Sequence, residues 1–167
     1  LIPISLSADS YQYLRLAFTP FNVSDWDNRP FGYPLLLKIL LFNSKFGLSF
    51  IIFFQIISSA LIPVVIYLTL RKYDDRISKI LSFIMIFYPY YNMMSYQIMT
   101  ESFYFLSISL IIYSIDKFIN QQNYKNLFFA LISILISCYL RPSGQLLFYI
   151  LPVITFISLL INQKLKK

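Results

Sequence analysis

The chain has 167 residues, of which 58% are hydrophobic and 13% charged, against about 25% charged in a typical soluble domain. That is too little charge to cover a globular surface, and the apolar residues gather into runs of about 20, the length that crosses roughly 30 Å of hydrocarbon. The net charge of +7 sits in short clusters between those runs, which argues for membrane orientation and against nucleic-acid binding. With no His and a single Cys, Cys138 inside an apolar run, a His- or Cys-ligated metal site and an internal disulfide are excluded within this stretch. No cofactor is fixed; a divalent cation held by oxygen ligands stays open.

Leu1 to Leu6 reads as the last turn or exit loop of an upstream span. The chain opens without Met, a basic n-region or a complete apolar h-region, so it is expected to be a fragment of a longer polypeptide. Residues 1–46 are mixed. "ADSYQYLRLAF" offers Asp9 or Ser10 as a helix N-cap ahead of Tyr13, Leu14, Leu16 and Ala17. "TPFNVSDWDNRPFGYP" has Pro20, Pro30, Gly32 and Pro34 among Asn and Asp, a loop signature. "LLLKILLFNSKFG" predicts a short amphipathic helix with Lys38 and Lys45 free to snorkel. The expected unit is two juxtamembrane helices joined by a loop.

Residues 47–167 predict an all-α polytopic transmembrane helical bundle. The spans fall at roughly 47–70, 78–96, 100–119 and 126–140, and a fifth apolar run at 144–162 is long enough to cross. In the first, Gln55, Ser58 and Ser59 suit an interhelical contact and Pro63 a kink. In the second, Pro89 and a Tyr-rich end suggest an interfacial belt or a bend. With alternating crossings, Arg71, Lys72, Arg76, Lys79, Lys117, Lys125, Lys164, Lys166 and Lys167 share one side. Arg15, Arg29, Lys38, Lys45 and Arg141 fall on the other. Nine against five at span ends makes the first side cytoplasmic. Asp9, Asp25, Asp27, Glu101 and Arg141 are then gathered on the outer face, while Asp74, Asp75 and Asp116 read as solvated charges or local pairs on the inner one.

Glu101, preceded by Thr100, lies where a span re-enters the bilayer. It is either a carboxylate favoured by the helix dipole, with Thr100 as cap, or part of a site. Arg141 ends a short span before Pro142 and Gly144, and is either an interfacial anchor or a forked donor for a lipid phosphate. Asp9 is either a cap or a general base within reach of an acceptor hydroxyl.

The order of "SADSYQYLRLA", "RPFGYPLLLKIL", "QIISSALIPVVIYLTLRKY", "YPYYNMMSYQIMTESFYFL" and "LRPSG" resembles the amino-terminal half of polytopic C-superfamily (GT-C) glycosyltransferases. The likeness is to bacterial members related to the protein O-mannosyltransferases and the aminoarabinose lipid A transferases, and it covers nearly all of the chain. It implies an enzyme of the bacterial inner membrane that moves a hexose or pentose from a polyprenyl-phosphate-linked donor to an envelope glycan, lipid or protein acceptor at the outer face. It implies Asp9 as the catalytic base, the Gly32–Pro34 stretch as the start of the second juxtamembrane helix, and Glu101 and Arg141 at the cavity mouth, with Arg29, Tyr33 and Tyr13 as further substrate-binding candidates. Ser10 follows Asp9 where the mannosyltransferase pattern has a second acid, which leaves Asp25 and Asp27 as alternatives for the acidic role. Two other classes compete. A transporter or lipid flippase calls for charges at mid-depth and a repeat, and a non-catalytic assembly subunit would use the outer charges only as anchors.

Overall fold

The computed structural model describes residues 6–19, 30–42, 47–149, 153 and 156. Arg29, Asp25, Asp27, Lys45 and the lysines at 164, 166 and 167 lie outside them, as does most of the fifth apolar run. The order is α1 (Ala8–Phe18), α2 (Gly32–Phe42), α3 (Leu48–Leu70), α4 (Asp75–Ile86), α5 (Pro89–Ser95), α6 (Glu101–Gln121) and α7 (Tyr124–Leu140). Residues 144–149 are helical again.

Helix α6 is central. It packs along α7 on one side and α3 on the other, α4 lies on α3, and α1 pairs with α2 against α3 and α7. Helices α3 and α6 are long and apolar enough to cross a membrane; α7, with 17 residues, reaches about 25 Å. On α4 and α7 the side chains are distributed inside out relative to a soluble bundle. Helix α4 buries Ser78 and Ser82 while Ile80, Phe83 and Ile84 are exposed. Helix α7 buries Ala130, Ser133 and Ser137 and exposes Phe128, Leu135 and Ile136. Lipid is as apolar as Leu and gives no hydrophobic drive for burying Leu, so membrane helices associate through small residues that allow close approach.

Local chemistry sets the ends. The cap of α1 is Ser7, not Asp9 or Ser10. Ser7 Oγ accepts from the Ser10 amide at 3.2 Å and Ser10 Oγ accepts from the Ser7 amide at 3.1 Å, a reciprocal pair that satisfies two amides left over at the helix start. Asp9 therefore sits inside the first turn, where the dipole favours its charge. The second apolar run is not one helix. Pro89 starts α5, and Tyr88 before it is extended at φ −67°, ψ 111°, because proline both lacks the amide hydrogen and disfavours helical geometry in its neighbour. Helix α3, by contrast, runs through the buried Pro63 as one element.

At the far end of α6, Lys72 pairs with Asp116, which also accepts from Tyr73 Oη at 2.6 Å. Lys79 pairs with Asp75 at 2.5 Å and Tyr67 Oη donates to the same carboxylate at 3.2 Å. Asp75 is a local pair, as its setting among basic residues implies, whereas Asp116 is held by the turn after α3, distant from it in sequence.

Candidate active site

Glu101 is the first residue of α6, and its side chain is 7% exposed. A carboxylate this buried needs a counter-charge. Arg141 supplies it from the residue that caps α7, with Nη1 3.3 Å from Oε1. Thr100 makes no side-chain cap bond; its hydroxyl faces Glu101 Oε2 at 3.5 Å. The Arg141 guanidinium lies 5.6 Å from the centroid of the Tyr104 ring, one turn after Glu101 on the same face of α6. Ser143 Oγ then donates to Tyr104 Oη at 3.1 Å. Arg141 is thus held by a carboxylate and a ring face, yet its side chain stays 38% exposed. A guanidinium has five N–H donors, so those not on Glu101 are open to a second anion.

Two close backbone approaches build this corner. A Cβ on Gly32 would lie 2.4 Å from the Tyr139 carbonyl oxygen, and one on Gly144 would lie 2.2 Å from that of Ser137. The start of α2 is thereby pressed onto the last turn of α7, and the chain after Arg141 folds back over the same turn, with Cys138 Sγ donating to Gly144 O at 3.3 Å.

Helix α2 begins at Gly32, and the contact of Gly32 with α7 carries Tyr33 into the corner. Tyr33 is fully buried, edge-on to Tyr13 at 4.9 Å between centroids and 6.3 Å from Phe103 of α6. Its hydroxyl has no hydrogen-bond partner among the described residues. Burial pushes the phenol pKa well above its ordinary value, and the nearby Tyr13 and Glu101 push the same way, so the hydroxyl stays a neutral donor at physiological pH. Asp9 stands one turn before Tyr13, about 6 Å along α1 on the same face, and is half-buried.

Of the residues singled out from sequence, Glu101 and Arg141 meet directly and Tyr13 and Tyr33 meet each other. Asp9 precedes Tyr13 by one helical turn, and Arg29 lies outside the described residues. The sequence reading passed over Tyr104, Ser143 and Phe103. The first two had a signal: Tyr104 follows Glu101 at helical spacing and Ser143 lies two residues past Arg141. Among the described residues no three carboxylate or thiol groups converge as metal ligands.

No curated protein and no solved structure matches the chain. Residues 28–167 match the family described as dolichyl-phosphate-mannose-protein mannosyltransferase. The match takes in α2 to α7 with Tyr33, Glu101 and Arg141, and begins after Asp9 and Tyr13. The apolar helices and the match over most of the length agree, and the chain belongs to the dolichyl-phosphate-mannose-protein mannosyltransferase family, integral-membrane glycosyltransferases of the GT-C type.

Proposed function

We propose that the chain forms the amino-terminal part of a glycosyltransferase that moves a hexose or pentose from a polyprenyl-phosphate-linked donor to an acceptor hydroxyl at the outer face of the bacterial inner membrane. Residues 1–46 are its outer loop and 47–167 its membrane bundle. The observation that carries the reading is Arg141, oriented by a buried carboxylate and a ring face with donors still open. In a membrane corner, that arrangement suits a lipid phosphate.

The reaction follows from these groups. The acceptor hydroxyl oxygen bonds to the anomeric carbon as the carbon–oxygen bond to phosphate breaks. The hydroxyl proton passes to the Asp9 carboxylate as general base, and the bonding electron pair leaves with the polyprenyl phosphate. Arg141, with Arg29 as a second cation, stabilises that phosphate without needing to protonate it. Glu101 faces the positive charge developing on the sugar ring, a demand common to glycosyl transfer. Tyr33 and Tyr13 pack edge to face beside Glu101 and support the wall of the site.

The test is sugar transfer by the full-length protein in lipid nanodiscs, using a panel of radiolabelled hexosyl and pentosyl polyprenyl phosphates. Arg141→Lys keeps the charge facing Glu101 but loses the fork, so the protein folds while the donor KM rises. Arg141→Ala loses transfer by roughly 100-fold, the scale of removing one preorganised donor. Near-normal transfer in Arg141→Ala overturns the phosphate role.

A further inference from the structure

Gln55 on α3 is fully buried, and both of its amide hydrogens are committed. Nε2 donates to the carbonyl oxygens of Gln97 at 2.9 Å and of Met99 at 2.8 Å. Those carbonyls belong to residues 96–100, the non-helical stretch between α5 and α6. Irregular backbone at membrane depth is tolerated only where protein satisfies its polar groups, and Gln55 does so here. Between the two carbonyls, Ile98 is fully buried in the cluster that holds Ile51 and Ile52 of α3. One turn further along α3, Ser59 Oγ donates to Ser102 Oγ at 3.1 Å.

Gln55 and Ser59 are four residues apart and share a face of α3. They hold the segment ahead of α6 at 97 and 99, before Glu101, and α6 itself at 102, after it. Glu101 takes its direction from the backbone between those points, and that direction brings its carboxylate to Arg141. We propose that Gln55 is a positioning residue: its amide fixes the helix break that aims Glu101 at Arg141. The proposal rests on the reading of that pair as the transfer site. The residue type is specific. One nitrogen with two hydrogens can serve two carbonyls, whereas Asn is a methylene short, Met of similar size has no donor, and an ionised Glu turns acceptors toward acceptors.

The experiment compares wild type, Gln55→Met and Gln55→Glu in the full-length protein in lipid nanodiscs, by hydrogen exchange and by transfer from the polyprenyl-phosphate sugars. In Gln55→Met, exchange across residues 96–104 rises roughly thirtyfold, the scale of two net hydrogen bonds, while residues 106–118 keep wild-type protection. Gln55→Glu shows a larger rise in the same peptide. The kcat of Gln55→Met falls roughly tenfold through misalignment, and the donor KM rises as well, because Glu101 orients Arg141. Unchanged exchange at 96–104, or a rise shared equally by 106–118, overturns the proposal. A loss seen only in KM also overturns it. The exchange readout needs no turnover, so a wild type that transfers no sugar sinks the transferase reading and leaves the positioning of Glu101 to be judged by exchange alone.

Discussion

A buried phenol hydroxyl without a partner costs about 1–3 kcal/mol, and among the described residues the Tyr33 hydroxyl has none. Phe would fill the same space between Tyr13 and Phe103 without the cost. Tyr33→Phe is therefore expected to leave the thermal midpoint unchanged or raised and transfer near the wild-type rate. A lowered midpoint in a thermal melt of Tyr33→Phe would show that the hydroxyl does have a partner. Glu101 and Arg141 could be picked out from sequence because a charge at the end of an apolar run needs a reason. That they pair with each other could not, since they lie 40 positions apart and nothing in either local pattern names the partner. The Ser7 cap was hidden for a different reason: Ser7, Asp9 and Ser10 are all good capping residues, and only the backbone geometry chooses among them.

At the scale of elements, the site depends on how closely α2 meets α7. Gly32 has backbone rather than a movable side chain opposite it, so Gly32→Ala must push the helices apart. The expected cost is about 1–3 kcal/mol of stability, with loss of transfer exceeding what that instability explains, because Tyr33 and Arg141 are carried by the two displaced helices. A thermal melt beside a transfer assay at a permissive temperature checks this, and wild-type values in both would contradict the contact. The apolar runs revealed α3, α6 and α7 to within a few residues. They did not reveal the full break at Tyr88 or the irregular stretch before Glu101, because hydropathy is blind to interruptions whose polar groups are satisfied by another helix. Gln55 was readable as an interhelical contact, but its partners were not.

At the scale of the molecule, α4 and α7 turn serines inward and most of their large apolar side chains outward, the arrangement expected where lipid is the solvent. The two ends differ. One carries Lys72–Asp116 and Lys79–Asp75, while the other, roughly 22 Å away along α6, carries Glu101 and Arg141 with the Tyr13–Tyr33 pair beside them. In the proposed orientation the second end faces outward, and Asp9 takes the acceptor proton there. The most direct measurement is transfer of radiolabelled sugar from polyprenyl phosphate by the full-length protein in nanodiscs, wild type beside Asp9→Asn. Asn keeps the shape of the side chain but cannot hold the proton. Glycosylated acceptor and free polyprenyl phosphate are expected from the wild type, and neither from an Asp9→Asn protein that is inserted and folded. Equal product from both would contradict the role of Asp9 as the base.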